Sequence, residues 1–173
     1  MRIPIIALLL SCLASLSAQA AAPETNAIPK YFTTAFVRFF MPDEVVAKRT
    51  NAESLSITIT RIQDLAAFWS TLPAASSGAD SCIIHVAIRP GALMKTWTVC
   101  EAIDGSTLDR IITDQLLPEE IARVSEGMVI FSLNGETGWA SQTTSAQMPK
   151  AWRDAGAGES MPMEALVAKA WPL

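Results

Sequence analysis

The stretch from Cys82 to Cys100 constrains this chain more than any other. It reads Cys-Ile-Ile-His-Val-Ala-Ile-Arg-Pro-Gly-Ala-Leu-Met-Lys-Thr-Trp-Thr-Val-Cys, and its ends are symmetric about Gly91. Folded as a hairpin centred there, it sets Cys82 opposite Cys100, Ile84 opposite Thr98, Val86 opposite Thr96 and Ile88 opposite Met94. Side chains alternate between faces along a strand, so both cysteines fall on one face and meet across it. Directly opposed residues bring their Cβ atoms within about 4.5–5.5 Å, near the separation a disulfide needs. The other face sets His85 against Trp97.

The compartment follows from the start of the chain. Met1-Arg2 leads into an apolar run from Ile3 to Leu16 and reaches Ala18-Gln19-Ala20, the three parts of a secretory signal peptide. The run is shorter than the roughly 20 residues of a membrane-spanning helix, so cleavage after Ala20 is favoured. A lipoprotein lipidated on Cys12 and an uncleaved N-terminal anchor are less favoured, because the apolar run continues past Cys12 and ends in the small-residue exit. The chain is expected in the periplasm or secreted, with no stable membrane insertion after cleavage.

Cys12 leaves with the leader, and an even pair of cysteines in an exported chain reads as a disulfide. Closing that loop stabilises by about 3 kcal/mol on the chain-entropy view. A thiol metal or redox site is disfavoured: the spacing is not Cys-x-x-Cys, and the only histidine, His85, faces away from Cys82. The net charge of −4 becomes more negative once Arg2 is removed, and no basic cluster exists. Nucleic acid and anionic membrane surfaces are therefore not expected partners.

Residues 21–30 lack periodicity and predict a flexible N-terminus. Residues 31–40 are rich in aromatics and fit a helix or a strand, serving either as core or as the contact surface of a homodimer. Ser54 to Thr60 alternates apolar and polar, which predicts a half-buried strand. Thr60 with Gln63 then predicts a capped helix carrying Ile62, Leu65, Phe68 and Trp69. Residues 71–81 are loop material and a soft boundary. After the hairpin, Ser106 with Asp109 opens a helix with a stripe of Leu108, Ile111, Ile112 and Leu116. Pro118 starts another helix that Gly127 closes. Met128 to Leu133 predicts a strand, and Asn134-Gly135 a hairpin turn with Thr137 to Gln142 as its partner. Met163, Leu166, Val167 and Ala170 predict a last helix, ended by Pro172. The pattern predicts one α+β domain over residues 31–173: an antiparallel sheet built from hairpins, with helices packed on one face.

The strand, Pro-Gly turn, strand and Asp104-Gly105-Ser106-Thr107-Leu108-Asp109 helix start resemble the C-terminal domain of TonB-type energy transducers. Leu117-Pro118-Glu119-Glu120-Ile121, leading through Gly127 into a strand, is similar to that family's Tyr-Pro-x-x-Ala helix, with Leu117 for Tyr and Ile121 for Ala. The closing Trp171-Pro172 is also like such domains. The likeness centres on residues 80–133. It implies a periplasmic protein-binding module that adds a partner strand to its sheet edge.

No phosphate loop, zinc spacing or nucleophile elbow is present, so no catalytic residue, metal site or cofactor is predicted. His85 and Trp97 are the candidate binding pair, although a cross-strand aromatic pair needs no chemistry. Asp43-Glu44 and Glu119-Glu120 sit at expected helix starts, where acids favour the dipole. Trp139, Trp152 and Trp171 fit a core better than a recognition patch. The reading is a non-enzymatic, exported module that binds a protein partner. The alternative is an inhibitor or immunity-type protein presenting an acidic loop at 101–109 or 153–160. A hydrolase with an unrecognised site ranks third.

Overall fold

The centre of the sheet is set by two strands that are buried on both faces over most of their length. The computed structural model describes residues 33–72, 81–101, 103–136, 148–157 and 159–172. The predicted signal peptide and the residue 21–30 start lie outside them, as do Tyr31, Phe32, Trp139 and the predicted strand 137–142. Four antiparallel strands run in the order β1-β4-β2-β3: β1 Thr33–Phe39, β2 Ser81–Arg89, β3 Leu93–Cys100 and β4 Val129–Glu136. β2 and β3 form the expected hairpin in the expected register, with Cys82 opposite Cys100 and His85 opposite Trp97. Its turn places Gly91 at φ 85°, a conformation glycine reaches without a steric penalty.

The antiparallel α+β class holds, but the helices do not share one face. On one side, α2 (Ala52–Ser70) and α3 (Ser106–Gln115) pack on Cys82, Ile84, Val86, Ile88, Phe131 and Leu133. On the other, Trp152 of α4 (Lys150–Ala155) and Leu166 and Val167 of α5 (Met163–Ala170) cover Ala87, Trp97 and Ile130. The physical reason lies in β2: from Cys82 to Arg89 every residue is buried, so both faces need a cover. α4 escapes the periodicity reading because it is six residues long and follows directly on Pro149.

Three local expectations fail for identifiable reasons. Ser54 to Thr60 is helical, not a strand, and Thr60 with Gln63 lies inside α2 and caps nothing. Asn51 caps that helix by accepting the Ser54 N–H at 2.7 Å. Leu55, Thr58, Ile62, Leu65, Ala66 and Trp69 then make one buried stripe, leaving Ile57 exposed. Asn134-Gly135 is not a turn, because β4 pairs on both sides there: Gly135 with Thr34 and Cys82, Asn134 with Phe36 and Ile83. Finally, Pro118–Glu120 is a single 3-10 turn in place of a helix. Thr58 stops it from winding on: its hydroxyl donates to the Glu120 carbonyl at 2.8 Å and accepts the Ala122 N–H at 2.7 Å.

α1 (Asp43–Arg49) starts after Pro42, with Asp43 and Glu44 in its first turn. Gly127, at φ 62°, lies against the Arg49–Glu164 ion pair, and a Cβ there would sit 2.7 Å from both side chains. Among the described residues no helix is long and apolar enough to cross a membrane.

Candidate functional site

The predicted pair His85 and Trp97 does meet across the hairpin, but under cover. His85 is 2% and Trp97 9% exposed. The fully buried Trp152 ring lies 5.0 Å from the His85 ring and 5.3 Å from Trp97, between centroids. Phe40 and Trp171 complete the cluster, at 6.0 Å from Trp152 and 6.3 Å from Trp97. Such tilted and edge-on arrangements stabilise a core. The pair joins the second helix layer to the sheet and offers no surface to a partner.

Cys82 and Cys100 are bonded, with Cα atoms 4.1 Å apart. The disulfide ties the edge strand β3 to the central strand β2. α3 closes the same edge from outside. Asp109 accepts the Thr98 backbone N–H at 3.0 Å and the Thr98 hydroxyl at 2.7 Å. Burial pushes the Asp109 carboxyl above its ordinary range, against the pull of these two hydrogen bonds. Nearby Asp104 is held below its ordinary range by the Ser106 hydroxyl and N–H. A helix seated on β3 leaves no room for another strand at Thr98.

At the other edge, no described strand or helix hydrogen-bonds to the outer side of β1. The Phe40 N–H bonds to the Ile130 carbonyl at 3.0 Å. By antiparallel alternation, Arg38 and Phe36 also direct their backbone groups to β4, while Val37 and Phe39 direct theirs outward. Among the described residues no group bonds to those outward positions. Phe36 is 57% exposed, and the Arg38 guanidinium lies over the Phe40 ring at 5.7 Å. On the opposite face, Phe39 forms one wall of a cavity of about 470 Å³, with Val46 of α1 and Leu55 and Ile59 of α2. Asp43 stands at its rim. A bulge at Ala35 bounds the pairing register at the start of the strand.

No family model, curated protein or solved structure matches this chain. The site therefore rests on its geometry. Among the described residues no cluster of three or more His, Cys, Asp or Glu is arranged to hold a metal.

The sequence leaves residues 31–40 open between core and contact surface, and the strand has both buried and exposed positions. Phe39 and Phe40 turn into opposite core clusters, while Phe36 stays outside. The cavity beside Phe39 was hidden, because its far wall is the part of α2 whose alternation resembles a strand. Of the two suggested acidic loops, the one at 153–160 has its acids paired with lysines outside it: Asp154 with Lys150 at 2.5 Å and Glu159 with Lys169 at 3.2 Å.

Proposed function

We propose that this chain is an exported, non-enzymatic binding module that takes an extended segment of a partner protein onto the outer edge of β1. The observation that carries the reading is the asymmetry of the two sheet edges. Thr98 on β3 is occupied by Asp109, whereas Val37 and Phe39 on β1 present unbonded backbone groups beside exposed apolar surface. Strand addition supplies affinity through main-chain hydrogen bonds and specificity through pockets for alternate side chains. Here the pocket is the cavity between Phe39, Val46, Leu55 and Ile59, which suits an apolar side chain from the incoming strand. Resemblance to TonB-type C-terminal domains points to the same mode, and the leader and disulfide point to an oxidising compartment. The inhibitor reading is less well supported, since the acids of residues 153–160 already have lysine partners.

The test is site-specific photo-crosslinking in periplasmic extract. A crosslinker at Arg38 is expected to trap a partner that one at Leu93, on the β3 edge, does not. Val37→Pro removes an outward N–H without breaking a β1–β4 bond, and should abolish that product. Trapping from Leu93 alone would refute the proposal.

A further inference from the structure

β1 carries a single charged side chain, Arg38, midway between the two residues whose backbone groups point outward. It is exposed, and its guanidinium lies over the Phe40 ring at 5.7 Å. Alternation puts it on the face of Phe36 and Phe40, away from the cavity beside Phe39 and from Asp43 at that cavity's rim. On the Arg38 face its neighbours in β4 are Ser132 directly across and Ile130 and Asn134 on the diagonals, none of them ionised.

This placement discriminates between incoming strands. An added antiparallel strand sets one residue opposite Val37, one opposite Phe39 and a third, between them, opposite Arg38. The first two project to the side of the cavity lined by Phe39, Val46, Leu55 and Ile59, which suits apolar side chains. The third faces the guanidinium at the spacing of a cross-strand pair, where an opposite charge stabilises and a like charge destabilises. A carboxylate there also matches the planar fork of the guanidinium.

The same rule weighs against a second copy of this chain. One antiparallel register engages the outward groups of Val37 and Phe39 in both copies, by pairing Val37 with Phe39. It sets Arg38 directly against Arg38, with Cα atoms about 4.5 Å apart. A slip of two residues runs into the bulge at Ala35 or past the strand end at Phe39. A charge on an edge strand is a known guard against such self-pairing.

We infer that the segment taken up at β1 is a foreign strand with an acidic residue opposite Arg38, flanked by two apolar residues on the cavity side. This rests on the reading that β1 accepts a strand, and adds the charge pattern of the partner.

The test is fluorescence anisotropy of the full chain with labelled peptides whose core is Val-Leu-Glu-Val-Tyr, flanked by Ser-Gly for solubility. The native chain should bind the Glu peptide about two- to fivefold more tightly than its Gln counterpart and about tenfold more tightly than its Lys counterpart. These differences should shrink in 1 M salt, about where exposed charges are screened beyond 3 Å. Arg38→Glu, at an exposed position, should invert the order. A Glu peptide N-methylated at Leu and at the second Val cannot donate to β1 and should not bind. Equal binding by that peptide would contradict strand addition itself and the inference with it. Equal binding of the Glu, Gln and Lys peptides, with the N-methylated form inactive, would leave strand addition standing and overturn the acidic preference. So would failure of the Glu peptide to bind, or an unchanged order in Arg38→Glu. The native chain should sediment as a monomer, and a dimer that Val37→Pro abolishes would overturn the exclusion of a second copy.

Discussion

Asp109 of α3 holds both the backbone N–H and the hydroxyl of Thr98, at 3.0 and 2.7 Å, and so closes one edge of the sheet with a helix side chain. The contact depends on close approach. A Cβ on Gly105, just before α3, would lie 2.5 Å from the Thr98 carbonyl oxygen and 2.7 Å from its Cβ. Gly105→Ala must therefore move α3 away from β3. A loss of about 1–3 kcal/mol in chemical denaturation is expected, the usual cost of overpacking. Stability equal to the native chain would show that the approach is not tight in solution.

Asp109 also makes a pH prediction. Burial raises its folded-state pKa above the ordinary value near 3.8. Its protonated form is thus favoured by folding, and the associated stability is complete below pH 3.8 and is lost as pH rises through the folded value. In Asp109→Asn this dependence disappears. The stability difference, native minus variant, should fall between acid and neutral pH in urea titrations. A difference that rises with pH would reverse the assignment of burial as the dominant cause.

Thr58 gives a third test. It is fully buried, and its hydroxyl alone satisfies the Ala122 N–H while anchoring the Glu120 carbonyl. Thr58→Val keeps the shape and removes both bonds, leaving a buried donor unmet. A cost of about 1–3 kcal/mol is expected. Thr58→Ser, which retains the hydroxyl, should recover most of it.

Removing the disulfide as Cys82→Ala with Cys100→Ala should cost about 3 kcal/mol, on the loop-entropy view of a bridge spanning 18 residues. Because Asp109 still holds β3 at Thr98, the hairpin register should survive. Nuclear Overhauser contacts between His85 and Trp97 would check it, and their absence would show that the bridge sets the register.

The hairpin was fully legible, down to each cross-strand pair, because a Pro-Gly turn and two cysteines fix its register locally. The antiparallel class and the helices at 106–115 and 163–170 were legible from their apolar stripes, although the expected Ser106 cap is absent: Ser106 is the first helical residue and Gly105, without a side chain, precedes it. Long-range placement was not. Residues 54–60 satisfy both a two-residue and a helical period, and only burial of Thr58 against Glu120 and Ala122 decides between them. Asn134-Gly135 is a strong local turn signal overruled by pairing on both sides, a tertiary effect no window of sequence contains. The position of β1 at the edge of the sheet follows from strand order, so it could not be read before β4 was placed between β1 and β2. The burial of Arg89 follows from its contacts with Trp171, far along the chain, so no local window shows it.

The most direct measurement is residue-resolved amide hydrogen exchange of the chain alone and with its crosslinked partner segment. Val37 and Phe39 should exchange rapidly in the free chain and become strongly protected in the complex, while Thr98, already bonded to Asp109, is slow in both. Protection that appears only at residues 101–109 or 153–160, with Val37 and Phe39 unchanged, would contradict strand addition at β1.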